Sequence, residues 1–397
     1  MRDVEEEGGR AVAIREYDPS RDRAGTEAVD RECEVGPTGG MSLHADLLGD
    51  PVARIRHSPD YLMLVAETLG HGGGIVGLIR GTVKSVATGK NCPGAPAFAS
   101  VGYILGLRVA PSHRRMGLAL RLVRRLERWF ELMGAEYAYM ATDKSNEASL
   151  RLFTGRCGYS KFRTPSLLVH PVHAHRLRVP RRATVFRLGA DDAERLYSSR
   201  FAHVEFFPAD IGVVLGNQLS IGTFLAVIDD GSGHCEWRGA ERFLASPPAS
   251  WAMASLWDCG GVFRLEVRGA SRVRRAAAAA SRALDRAARW MRVPSVPDFF
   301  SPFAGWFVYG LAGDGPDAAM AAEALFASFV NMARGRAAAV AVEVAACDPL
   351  RRRIPHWRRL SCTEDLWCMK RLIGEIDGWD WARSAPGHSI FVDPREV

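Results

Sequence analysis

Apolar positions along this chain switch repeatedly between a period of two and a period of three to four, which predicts short strands alternating with amphipathic helices. Residues 11–16 predict a strand and 21–34 a helix, and 61–67 (YLMLVAE) with 75–86 (IVGLIRGTVKSV) predict a hairpin around the glycine-rich turn 70–74. Residues 87–99, with two prolines, read as a loop, and 101–109, rich in β-branched and aromatic side chains, as the next strand. Beyond Pro111, Leu118, Leu120, Leu122, Val123, Leu126, Trp129, Phe130 and Met133 recur at helical spacing until Gly134. A strand at 135–142, a helix at 146–157 and a last strand at 163–172 follow.

The same order then recurs. Strands are predicted at 184–188, 222–228, 250–258 and 262–268, with helices at 190–201 and 271–291. Aligning Gly134 with Gly335 also pairs Tyr159 with Leu360, and helix, strand and helix again follow at 318–333, 337–345 and 349–360. The expected organisation is a disordered start at 1–10, a first domain at 11–177, a linker at 178–183 and a related second domain at 184–397.

Chemistry concentrates at 107–119, LRVAPSHRRMGLA, where a strand passes through a basic turn into a helix. A helix starting near Gly117 leaves its first N–H groups unpaired and pointing outward at the positive end of the macrodipole, which suits a phosphate. Gly117 lets the ligand approach the backbone, Ala119 keeps the next turn close, and Arg114 and Arg115 add charge. In the second half the corresponding place, 310–317, carries Asp314 and Asp317, so like charge there opposes a pyrophosphate.

The run Arg114-Arg115-Met116-Gly117-Leu118-Ala119 resembles the [Q/R]-x-x-G-x-[G/A] pyrophosphate loop of the GCN5-related N-acetyltransferase (GNAT) superfamily. Downstream, Asn146, Phe153, Gly158 and Tyr159 fall in the slots of that superfamily's N-x-x-A-x-x-x-Y-x-x-x-G-[F/Y] pattern, with Ala148 one place short of the alanine. Segments such as IREYDPSRDRAG, MSLHADLLGDP, GAEYAYMAT, RLFTGRCGYSKFR, IPHWRRLSC and SIFVDPRE are similar to the plant HOOKLESS-type N-acetyltransferases over about residues 14–397. The resemblance implies an α/β (α+β) GNAT fold, a mixed and mostly antiparallel sheet flanked by helices, with a second, degenerate GNAT-like domain in tandem. It implies acetyl-CoA as cosubstrate, an amine of a protein or small molecule as acceptor, and a role in ethylene- and auxin-linked development.

Carried over onto this sequence, the resemblance places the pantetheine arm along Leu107, Arg108 and Val109, the pyrophosphate at 114–119, and Asn146 and Phe153 beside the cofactor. The acid and base stay open. No carboxylate lies between 98 and 109, and Tyr103 occupies the slot where many histone-type members carry a glutamate base. Glu67, Asp143 and His113 are candidate bases, with solvent-exposed strand end and helix cap as competing readings of the first two. Phe153 replaces the tyrosine that protonates the departing thiolate in many relatives, which leaves Tyr139, Cys157 or water. These two departures also admit a non-catalytic module that binds acetyl-CoA or a partner protein.

Composition narrows the rest. A chain of 397 residues that is 47% hydrophobic can build two packed cores, and its eight cysteines show neither C-x-x-C spacing nor histidine partners, so no metal site or disulfide framework is expected. No apolar run of about 18 residues and no signal-like start appear, so the expectation is an intracellular protein, in nucleus or cytoplasm, not secreted and not in a membrane. The net charge is +7, and only five of the 52 basic residues are lysine. This excess suits an anionic cofactor, while the absence of a helix-turn-helix, zinc or aromatic RNA-binding signature ranks nucleic acid last. The basic clusters at 178–182 and 351–359 are read as solvated charge.

Overall fold

A computed structural model describes residues 3–7, 10–33, 41–70, 73–90, 97–229, 236–362, 365–374 and 379–397. The first half runs β1 (Asp3–Glu7), β2 (Arg10–Glu16), α1 (Arg23–Glu32), β3 (Ser42–Asp46), β4 (Asp60–Thr68), β5 (Ile75–Ala87), β6 (Phe98–Val109), α2 (Leu118–Leu132), β7 (Tyr137–Asp143), α3 (Glu147–Gly155), β8 (Ser160–Arg163) and β9 (Ser166–Pro171). The second runs β10 (Ala183–Leu188), α4 (Ala190–Phe201), α5 (Ile211–Leu215), β11 (Ser220–Ile228), α6 (Ala240–Ala245), β12 (Trp251–Asp258), β13 (Arg264–Arg268), α7 (Arg272–Ala287), β14 (Gly305–Asp314), α8 (Ala318–Ala333), β15 (Ala339–Val344) and β16 (Asp365–Arg371).

Two mixed sheets result, with strand orders β1-β2-β4-β5-β6-β7-β16-β8 and β10-β11-β12-β14-β15-β9, beside a two-stranded ribbon of β3 and β13. Each large sheet has a single parallel pair, β6 with β7 in the first and β14 with β15 in the second. The apolar stripe of α2 (Leu118, Leu122, Val123, Leu126, Phe130) packs on the first sheet. The contact is so close that a Cβ on Gly102 would lie 2.5 Å from the Phe130 ring. On the second sheet α8 buries its alanines together with Leu325, Phe326, Phe329 and Val330. A third core fills the space between the sheets and draws residues from both halves, among them Tyr103, Tyr139, Tyr197, Phe206, Trp257, Trp367 and Phe391.

The two halves are therefore not consecutive blocks. The predicted strand at 163–172 is two strands in different sheets: β8 closes the first, while β9 crosses over to lie antiparallel beside β15. In return β16, from near the end of the chain, inserts between β7 and β8, with Asp365 opposite Asp143 and Trp367 opposite Ala141. A boundary at 177 thus separates the sequence repeats but not the sheets.

Other expectations also change. Residues 3–7 are not disordered, because β1 pairs with β2 in full antiparallel register. The helix predicted over 271–291 ends at Ala287, and the last helix of the second half, predicted over 349–360, is only the 3-10 turn Pro349–Arg353. Part of the turn predicted at 310–317 belongs to β14. Of the predicted loops, positions 34–40 and 91–96 lie outside the described residues, as do 71–72 of the 70–74 turn, Cys92 and Cys235.

Candidate active site

β6 pairs with β5 on one side along almost its whole length, but the register slips opposite Leu78 and Arg80, where Gly106 takes a φ of +62°. That conformation is open to glycine and strained for other residues, and it turns the strand. On the other side β6 and β7 are paired only from Val101–Tyr137 to Ile104–Met140. Beyond that point the strands part, and the wedge between them is a groove of about 1110 Å³ lined by Tyr103–Val109, Arg114, Ala119, Met140–Asp143 and 145–149.

The basic turn rims this groove. Gly117, with a φ of +70°, is the N-cap of α2, and no side chain caps the first turn. Arg115 is also left-handed, with a φ of +64°, a conformation that costs about 1 kcal/mol or more for a residue with a side chain. Both Arg114 and Arg115 are exposed. Arg114 Nε donates to the Val109 carbonyl (3.3 Å), which ties the turn to the end of β6. Arg108, whose ionisation burial opposes, and Arg54 add positive charge inside. Leu107, Val109, Asn146 and Phe153 all line the groove, as do Arg108, Arg114 and Ala119. Asn146 is engaged as the cap of α3, its Oδ1 accepting from the Ser149 N–H (3.2 Å). Phe153 is buried edge-on against Tyr159.

The candidate bases fare differently. Glu67 is absent from the groove: Arg15 and Arg21 each hold it at 2.8 Å and lower its pKa, so it is a poor proton acceptor. Asp143 does line the groove, but it accepts from both the N–H and the hydroxyl of Ser145, and these bonds hold its carboxyl below the usual range. Tyr139 lies buried behind the groove, and its hydroxyl donates to Glu396 Oε1 at 2.5 Å. His113 is buried with Nδ1 near the Ser112 hydroxyl (2.9 Å), and the Cys157 thiol is pushed up to about 11 by burial.

The residues packed behind Tyr103 at the narrow end of the wedge come in part from further along the chain. The Tyr103 ring lies 4.7 Å from Tyr139, which stacks 5.6 Å from Trp367 of β16. The Trp367 indole N–H donates to Glu343 Oε1 of β15 (3.2 Å). Val340, Val342 and Val344 face the α8 core, so alternation turns Ala341, Glu343 and Ala345 toward the space between the sheets. Burial there, reinforced by Asp365, pushes the Glu343 carboxyl up to about 8, and Asp365 itself is pushed up to about 6. Burial also raises the Tyr103 phenol, with Glu396 as the next cause and Glu343 and Asp365 adding to it. Glu343 had one signal in the sequence, a single charge inside AVAVEV, but which face it took could not be read there.

Beneath the apex a buried ion network joins the halves. Lys84 Nζ lies 2.7 Å from Glu396 and 3.1 Å from Asp393, and Arg395 spans Asp393 and Asp210 at 2.7 and 2.6 Å. No cluster of metal-ligating side chains occurs among the described residues, and no helix among them is long and apolar enough to cross a membrane.

A sheet wedged open beside a helix start, with a basic left-handed turn between them, defines an acyltransferase of the GNAT class, and the acetyltransferase (GNAT) family profile matches residues 34–159. Across 97% of its length the chain is 53% identical to "Probable N-acetyltransferase HLS1" of Arabidopsis thaliana, covering 100% of that protein. It is 40% identical to "Acetyl transferase GW6a" of Oryza sativa subsp. japonica, with 97% of each covered. The chain belongs to the HOOKLESS-type N-acetyltransferases of the GNAT superfamily. Among solved structures, N-myristoyltransferase of Saccharomyces cerevisiae with bound myristoyl-CoA shares the fold at a TM-score of 0.51 and 10% identity, over 91% of this chain and 79% of that one. Family membership implies an acyl-CoA cosubstrate and an amine acceptor.

Proposed function

We propose that this chain transfers an acetyl group from acetyl-CoA to an amine of a protein or small molecule, with the donor in the β6/β7 groove and the proton acceptor supplied by the second half. The observation that carries this reading is the groove itself, whose size suits an extended thioester and whose rim offers open N–H groups and arginines to a pyrophosphate. The pantetheine arm runs along Leu107 to Val109, the pyrophosphate meets 114–119, and Asn146 and Phe153 flank the arm.

The amine nitrogen attacks the thioester carbonyl carbon, the C–S bond breaks, and the amine proton passes to the Glu343 carboxylate. The departing thiolate, of pKa near ~8.5, takes its proton from water, since Phe153 has none to give and burial makes the Tyr103 phenol a poor donor. The second half covers the acceptor and does not hold a donor of its own. The family resemblance adds a role in hormone-linked plant development, and nucleus or cytoplasm as the place of action.

The test is thiol release from acetyl-CoA in the presence of peptide and small-amine pools. Turnover by the wild type that vanishes in Arg114→Glu/Gly117→Glu supports the reading. Binding of acetyl-CoA without thiol release in any pool would favour a non-catalytic cofactor-binding module, the alternative to which Phe153 and the carboxylate-free β6 point.

A further inference from the structure

The second half holds a cleft of about 950 Å³ far along the fold from any donor site, at the start of the parallel pair β14/β15 rather than at its open end. Six arginines converge on it from four separate segments: Arg176 after β9, Arg264 on β13, Arg286 and Arg289 at the end of α7, and Arg334 and Arg336 after α8. None of the six side chains makes an ion pair or side-chain hydrogen bond among the described residues, and Arg334 Nε is buried without a partner. A seventh, Arg282, donates to the Val296 carbonyl and lies 3.9 Å from Asp298, the one acidic residue in the lining.

The arginines that lie buried elsewhere in the chain are treated otherwise. Arg15 is matched by Asp22 and Glu67, Arg163 by Glu205, and Arg395 by Asp210 and Asp393. The C-termini of α7 and α8 each present about half a negative charge, far less than the cleft's excess. Packing several guanidinium groups around one cavity without counter-charge is unfavourable unless an anion enters it, and a guanidinium fork suits phosphate oxygens.

We infer that this cleft is a binding site for a small polyanion carrying several phosphate groups, separate from the acyl-CoA groove. Its volume accommodates a compact ligand of that kind. The floor is already set: His173 Nδ1 donates to the Ser295 carbonyl (2.9 Å), and buried Asp285 accepts from the Ser295 hydroxyl, the Ala174 N–H and His175. Those bonds occupy the Asp285 carboxylate, which forms no ion pair with an arginine of the cleft among the described residues.

The experiment is calorimetric titration of the full chain with inositol hexakisphosphate and with inorganic tripolyphosphate, in 50 and 150 mM salt. The expected result is one saturable site of micromolar Kd for at least one probe, weakening as salt rises. Arg286→Glu/Arg289→Glu/Arg336→Glu should lose at least 100-fold, and the milder triple change to Gln about 10-fold, with the unliganded Tm held as the check on folding. Arg352→Glu/Arg358→Glu/Arg359→Glu alters net charge equally outside the cleft lining and should stay within threefold. No saturable binding at 50 mM salt overturns the inference, as does equal loss in both Glu triples. Tighter binding of a 20-base-pair DNA duplex than of either probe, abolished by both triples, overturns it in favour of an extended nucleic-acid surface.

Discussion

The two parallel strand pairs bend in the same way and part company one turn later. In β6 the left-handed residue is Gly106, and in β14 it is Gly310, each with a φ of +62° and each opposite a register slip in the preceding strand. After the bend neither helix start is capped by a side chain, but the first copy lines its groove with Arg108 and Arg114 and leaves Arg115 exposed in the turn. The second spends its donors internally: the Ala318 N–H donates to the Gly315 carbonyl (3.2 Å), the Met320 N–H to the Asp317 carbonyl (2.9 Å) and the Asp317 N–H to the Ser250 hydroxyl (3.0 Å). Arg182 pairs with Asp317 at 3.7 Å. The lesson is that the bend makes the wedge, while open donors and local charge decide whether a pyrophosphate can use it.

Donor binding separates the two copies most directly. Arg114→Glu/Gly117→Glu removes two favourable contacts of about 2 kcal/mol each and adds repulsion, so acetyl-CoA should bind at least about 1000-fold more weakly by calorimetry. The matching change in the second copy, Asp317→Ala, should leave that Kd within twofold. Tighter binding in Asp317→Ala would mean that the second copy also takes donor.

Glu343→Gln probes what the second half gives to the first. Thiol release at pH 7.5 should fall about 100-fold, as for loss of a general base. Wild-type kcat/KM should rise with pH through the Glu343 pKa of about 8, and the variant should lose that limb. Stability moves the opposite way. The folded carboxyl keeps a proton that the unfolded chain releases above its ordinary carboxylate range, so wild-type stability falls as pH rises through that window to about 8. Gln carries no such cost, and its Tm should exceed the wild type by a margin that grows between pH 5 and 8. A variant equally active at all pH values would place the base elsewhere.

Lys84→Met tests the seam between halves. Asp393 and Glu396 would lose their shared cation in a buried site, which costs about 3 kcal/mol of unfolding free energy in urea. A single cooperative transition at lower urea is expected. Loss of only one half, leaving the other folded, would show that the exchanged strands do not couple them.

Much of the groove's geometry was legible. The strand-turn-helix at 107–119 depends on local signals, apolar periodicity, Pro111, Gly117 and the arginines, and the structure lines its groove with residues drawn from that run. The repeat was legible too, since Gly134 and Gly335 end α2 and α8 with the same φ of +77°. The surroundings of the candidate bases were not. Glu67 and Asp143 looked available because their partners, Arg15 on the neighbouring strand and Ser145 in the following turn, are not implied by any periodicity.

By itself the sequence determined the local elements, the two related halves and the basic turn, because each rests on contacts between residues close along the chain. Only the tertiary structure decided that β9 and β16 change places between the sheets, since strand pairing over such separations depends on which edges are left open. That exchange sets Trp367 against Glu343 and both behind Tyr103, and so packs a buried carboxylate of the second half against the first sheet.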